Sequence, residues 1–192
     1  MSETEDRLLV ETVLSGEPYA FKPFILKYQR LVGAIVSRMV ANRADREDVG
    51  QDIFVKLYRH LASFQFNAKL STWVATVAYN TCLHYLQKKR IPLLADMREG
   101  EEADPFAAVA DALPDPARRY EAEELNERIQ RAIAGLPPVY ATVLSLYHMQ
   151  EMKYQEIAQV MQLPEGTVKS YLFRARSSIK RQLAGLQGEE EL

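Results

Sequence analysis

Apolar positions in the first half of the chain repeat every three or four residues, the period of a helix with one buried face. Leu8, Leu9, Val13 and Leu14 predict a short first helix ending near Ser15-Gly16. Phe24, Tyr28, Leu31, Val32, Ile35 and Met39 make one stripe of a long second helix, which Asn42 to Asp45 interrupt. Asp45, with Asp48 three residues on, predicts a capping box (Asp in place of the usual Glu) that opens a third helix to about His60. A loop follows at 63–70, and Ser71 or Thr72 caps a fourth helix reaching Lys88-Lys89-Arg90. The pattern fades over 91–120, where Pro92, Pro105, Pro114, Pro116 and many acids read as an extended linker. It resumes at Glu121 with Leu125, Ile129 and Ile133, stops at Gly135, and restarts at Pro137 or Pro138, where a missing N–H costs nothing. Ile157, Ala158 and Met161 predict a short helix, and Gln162-Leu163-Pro164 a tight turn. A last helix follows to about Leu183, then a frayed acidic tail over 185–192. The expected fold is all-α: two helical domains, 5–90 and 121–185, joined by an acidic flexible linker at 91–120.

Composition narrows the function classes. The chain has 192 residues, 47% hydrophobic and 26% charged, with only 8 Gly and 9 Pro, as suits helical domains with real cores. A single cysteine, Cys82, excludes an internal disulfide and a cysteine-rich zinc site. No basic leader opens the chain and no apolar run approaches the roughly 20 residues of a membrane span, so a soluble cytosolic protein without membrane insertion is expected. His60, His84 and His148 are scattered, and no glycine-rich phosphate loop exists, so an enzyme, a cofactor or a bound metal is not expected.

The formal charge of -2 hides a segregation. Residues 1–90 hold 13 Lys and Arg against 9 Asp and Glu, whereas 91–124 hold 3 against 10. Within 164–183 five bases face one acid. At about 100° per residue, Val168, Leu172, Ala175, Ile179 and Leu183 fall on one side of the last helix. Ser170, Phe173, Arg174, Ser177 and Arg181 fall on the other, flanked by Lys169 and Lys180. A short helix, a tight turn and a basic, hydrogen-bonding helix make a helix-turn-helix suited to the major groove.

The wording of this segment goes further than its period. Leu136-Pro137, Tyr154-x-Glu156-Ile157-Ala158 and Gly166-Thr167-Val168-Lys169-Ser170-x-x-x-Arg174-Ala175-Arg176 resemble domain four of the extracytoplasmic-function sigma factors. The resemblance implies contact with the minus-thirty-five promoter element through Lys169, Ser170, Phe173 and Arg174, with Ser177 and Arg181 further along the same face. Tyr171 departs from the family, which often has Arg there, and suggests packing in place of a phosphate contact.

The first domain carries two more surfaces. On the fourth helix Trp73, Thr76, Asn80, His84 and Gln87 cluster opposite the apolar face, with Lys88 at the edge. Trp73 is either a lid on the core or a stacking platform for a single strand. Phe66 to Arg90, with Ser71-Thr72-Trp73 and Tyr79-Asn80, is similar to the family segment that captures the melted minus-ten element. The resemblance implies that the loop holds a flipped base, with Asn67 and Lys69 as candidates, and that Trp73, Asn80, His84 and Lys88 line the site. On the third helix Phe54, Val55 and Tyr58 widen the apolar arc beyond Val49, Ile53 and Leu57. Period alone allows a helix buried from two sides or a partner-binding face. Glu47-Asp48-Val49-x-Gln51-Asp52-x-Phe54-x-x-Leu57-Tyr58 resembles the sigma segment that grips the polymerase clamp helices, which favours the partner face, with Asp48, Gln51, Asp52, Phe54 and Tyr58 at its centre. The implied partners are core RNA polymerase (clamp helices of the largest subunit, and the flap), promoter DNA and an anti-sigma factor. The rival reading is a free-standing helix-turn-helix regulator that binds duplex DNA without polymerase.

Overall fold

Two clusters of helices, one at each end of the chain, are seated on each other in the computed structural model, which describes residues 3–17, 19–89 and 128–187. The first cluster comprises α1 (Glu3–Leu14), α2 (Phe21–Met39), α3 (Arg43–His60) and α4 (Leu70–Lys89), with a 3-10 turn at Leu61–Ser63. The second comprises α5 (128–134 among the described residues), α6 (Pro138–His148), α7 (Tyr154–Met161) and α8 (Glu165–Gln187). All the regular structure among the described residues is helical. The linker at 91–120, the start of the fifth helix and the last five residues of the acidic tail lie outside them. No helix among the described residues is long and apolar enough to cross a membrane.

The predicted stripes become the core. Phe24, Tyr28, Leu31, Val32, Ile35 and Met39 are buried along α2, and Val49, Ile53 and Leu57 along α3. α4 lies across both helices, with Val74, Ala75, Ala78, Cys82 and Leu86 buried. In the second cluster Ile157, Val160 and Met161 of α7 meet Val168, Leu172, Ala175 and Ile179 of α8. Two further contacts join the clusters: α6 lies on α2, and α7 lies on α4.

Helix ends account for the departures from the predicted pattern. α3 starts at Arg43, with Asn42 as its cap; the Asn42 side chain accepts from the Ala44 N–H at 3.0 Å. Asp45 caps nothing, because its carboxylate binds the Tyr85 hydroxyl and the Asn42 amide and faces the Lys89 ammonium at 3.6 Å. α4 starts at Leu70, so Ser71 and Thr72 lie inside it, and Thr72 is buried. Pro138 opens α6 as its first residue. Gln162 closes α7 in the left-handed conformation (φ 55°), and the Leu163 N–H reaches the Ala158 carbonyl at 3.0 Å. That bond completes the tight turn. α8 continues to Gln187, so the first residues of the expected frayed tail are helical.

Removing the true cap should cost about 1 kcal/mol of stability. Urea unfolding of the full chain checks it: Asn42→Ala should show that loss, while Asp48→Ala, an exposed position, should change stability by less than about 0.5 kcal/mol.

Candidate nucleic-acid and polymerase interfaces

The loop between the 3-10 turn and α4 is built around three rings. Phe64 lies 4.6 Å from Phe66 and 5.3 Å from Trp73, centroid to centroid. Phe66 adopts a left-handed backbone (φ 57°), which turns the chain back toward α4. The Arg7 guanidinium of α1 covers the Phe66 ring at 4.5 Å. Trp73 is therefore both partner and edge: its ring is half-buried on the loop aromatics and also borders a cavity of about 270 Å³ with Asn67, Thr76 and Gln159. Asn67 and Lys69 are exposed on the loop; Asn80 is half-buried, and His84 and Lys88 are exposed further along α4. The intervals of seven, four and four residues from Trp73 put these positions on one face of α4. Lys69 makes a 2.7 Å ion pair with Glu156 of α7. Arg7 and Gln159 were not foreseen, because only the packing of distant helices brings them here.

The outward face of α3 is a mixture of carboxylates and rings. Asp48, Gln51 and Asp52 are exposed, and Tyr58 is 56% exposed. Phe54 is half-buried, and Phe21 of α2 explains why: its ring meets Phe54 edge-on at 6.5 Å and Tyr58 at 5.1 Å. Phe54 is thus shared between core and surface, and Tyr58 is presented outward. Val55, also on α3, is exposed. Asp52 pairs with Lys56 at 2.8 Å, four residues on. A groove of about 350 Å³ runs between α2 and α3, bordered by Gly33, Gly50 and Phe54.

On α8, Lys169, Ser170 and Arg181 are exposed, while Phe173, Arg174 and Ser177 are half-buried. Lys169 pairs with Glu165 at 2.8 Å and lies 5.4 Å from the centre of the Tyr154 ring. The Ser170 hydroxyl donates to the Gly166 carbonyl at 2.9 Å. Tyr171 packs edge-on against Tyr140 at 5.1 Å, and it stands close enough to the buried Tyr79 of α4 to oppose that hydroxyl's ionisation, adding to the effect of burial. Arg176 reaches His148 (3.1 Å) and the Tyr147 ring. It borders an apolar cavity of about 470 Å³ with Ile129, Ile133, Leu144 and Arg38. Burial, and then the Arg176 charge, hold His148 below its usual range, so the ring is neutral near pH 7 and can accept from the guanidinium.

Two family models match the chain: Sigma-70 region 2 over residues 24–91 and Sigma-70 region 4 over 126–179. The class is thus that of the sigma-70 initiation factors. The chain is 34% identical to the RNA polymerase sigma-H factor of Pseudomonas aeruginosa over 98% of its own length and 99% of the relative's. It is 35% identical to the ECF RNA polymerase sigma-E factor of Escherichia coli K12, over 94% and 95%. Its fold is similar to CnrH in complex with the cytosolic domain of CnrY (TM-score 0.62, 19% identity, 94% and 97% covered). It is equally similar in fold to the sigma factor RpoE in complex with the anti-sigma factor NepR from Bartonella quintana (TM-score 0.62, 18% identity, 87% and 98% covered). The chain belongs to the extracytoplasmic-function sigma factors, alternative subunits that direct RNA polymerase to begin transcription at particular promoters. The free-standing regulator is not favoured.

The thiol of Cys82 has no part in these surfaces. It is fully buried in α4, and burial, only partly offset by the Lys56 charge, pushes it up to about 12. Among the described residues no cluster of His, Cys, Asp and Glu could hold a metal ion. At neutral pH the folded chain should react with a disulfide reagent at least about a hundredfold more slowly than the urea-unfolded chain. Absorbance of the released thiolate measures both rates.

Proposed function

We propose that the chain divides its work as an initiation factor among three surfaces: α3 docks on the polymerase clamp helices, the 64–69 loop with α4 holds the melted minus-ten strand, and α8 reads the minus-thirty-five element. The observation that carries this reading is the docking face of α3. Asp48, Gln51, Asp52 and Tyr58 remain exposed while α6 and α7 are seated on α2 and α4. An exposed ring among carboxylates, with a second ring half-buried beside it, suits a helical partner with basic side chains. The apolar groove beside Ile129, Ile133 and Leu144 suits the flap, a second anchor on the same enzyme.

On α8 the roles follow from chemistry. Arg174 can fork onto a guanine edge, whereas Lys169, Ser170 and Arg181 suit phosphates. Around the loop, the Trp73 ring stacks on a base, and Asn67 and Lys69 meet its edge and backbone. Asn80, His84 and Lys88 continue along the upstream duplex. An anti-sigma factor is the expected regulator, in keeping with the NepR complex of the Bartonella relative. The chain then works in the cytoplasm, where polymerase and promoters are.

Asp52→Lys combined with Tyr58→Ala should weaken binding to core polymerase by about 2 kcal/mol or more, through like-charge contact and loss of an aromatic anchor. Pull-down with purified core enzyme, on a variant whose circular dichroism remains helical, is the measurement. A folded double variant that binds as well as wild type would overturn the docking assignment. Arg174→Ala should cost about 1–3 kcal/mol on cognate promoters. An equal loss on scrambled duplex, read by competition binding of the holoenzyme, would reassign Arg174 to phosphate.

A further inference from the structure

Four side chains run in file from α1 to α4. The Arg7 guanidinium lies 4.5 Å from the centre of the Phe66 ring, Phe66 lies 4.6 Å from Phe64, and Phe64 lies 5.3 Å from Trp73. The weak member is Phe66. Its backbone is left-handed (φ 57°), a conformation that costs a bulky residue free energy and persists only where neighbours hold it. Its ring also has room to leave, because a cavity of about 530 Å³, bordered by Asp6, Lys69 and Ser71, opens beside it. Phe64 supports the ring from within the loop, and Arg7 supports it from outside. Arg7 is itself held in place through its helix. Its neighbour Asp6 accepts from Lys27 Nζ at 2.6 Å and from the Tyr28 hydroxyl at 3.2 Å, and Val10 and Val13 of α1 are buried.

We propose that Arg7 is a positioning residue for the strand-binding loop: by holding Phe66 in its left-handed turn, it presets both Asn67 and Trp73 for single-stranded DNA. The proposal rests on the reading of the loop given above. Asn67 follows Phe66 directly, so the turn at Phe66 decides where it points; its exposed amide meets the Gln65 side chain at 3.4 Å. Trp73 is set through Phe64, whose ring keeps the indole at the border of the 270 Å³ cavity. Without the guanidinium, Phe66 and the residue after it sample other conformations, and strand capture must order them again. Cation–π attraction at an exposed cation such as Arg7 is of a size to shift that balance roughly two- to fivefold without unfolding the domain. A guanidinium suits the task better than an ammonium, because its plane stacks on a ring face.

Acrylamide quenching of Trp73, the only tryptophan of the chain, reads the loop directly in the full-length protein. Arg7→Gln removes the cation and should raise the quenching constant, whereas Arg7→Lys keeps a cation over the ring and should fall between the two. Affinity for a short fluorescein-labelled mixed-sequence single strand, read by anisotropy, should drop about threefold in Arg7→Gln, with pull-down of core polymerase unchanged. Phe66→Gly separates positioning from direct contact: glycine adopts the same turn without strain and leaves Arg7 no ring to cover. In that background Arg7→Gln should change neither quenching nor affinity, as residues that act through one contact are not additive. A loss of the same size that persists in Phe66→Gly puts Arg7 on the strand itself and overturns the positioning role. Quenching at the wild-type level in Arg7→Gln overturns it as well. Increased quenching with unchanged strand affinity supports the positioning role and overturns the reading of the loop as a strand site.

Discussion

Val74, Ala75, Ala78, Tyr79, Cys82 and Leu86 point around α4 in more directions than one neighbour can cover. A helix that is apolar nearly all round must be buried on several sides. α2 and α3 take two of those sides and α7 takes another, which is why the second cluster comes to rest on the first. Ala75 and Ala78 keep the packing close, since neither side chain holds a neighbour away. The polar residues of this helix are left between the covering helices, half-buried at Trp73 and Asn80 and open at His84 and Lys88. Core and the proposed strand-binding surface are adjacent arcs of one cylinder, so neither can be altered without loading the other.

The charged surfaces are held more loosely. Lys56 with Asp52 and Lys169 with Glu165 are exposed pairs one helical turn apart, each contributing about 0.3–0.5 kcal/mol. Such pairs orient long side chains without committing them. A phosphate or a partner carboxylate can take over the lysine at little cost, and the released acid is left in water rather than in a core. Asp45 is different in kind. Hydrogen bonding to Tyr85, aided by Lys89, holds its carboxyl below the usual range and ties the start of α3 to the end of α4.

Much of this was legible because it is local. Helical period located α2, α3 and α8 and their buried residues, and the wording of two short segments carried the family. Errors arose wherever a distant residue competes for a local one. Asp45 looked like a cap because nothing in its neighbourhood reveals Tyr85, forty residues away. Trp73 was undecidable between lid and platform because its ring both packs on Phe64 and borders a cavity, and the loop that supplies both is not visible in the helical period. Phe21 gave no signal as the ring beneath Phe54 and Tyr58, since the pairing depends on how α2 crosses α3. The seating of α7 on α4 was beyond reach altogether: an amphipathic pattern says that a face is covered, not by what. Tyr171 was the one hint, a ring where the family often carries a charge.

Cys82 has a consequence for how such a factor can be controlled. Oxidants of cysteine act on thiolates that they can reach, and here the one thiol is both protonated and sealed inside α4. In the folded chain Cys82 offers no thiol switch. News of disulfide stress in the cell then has to be heard by some other thiol and delivered to this chain as a change of company.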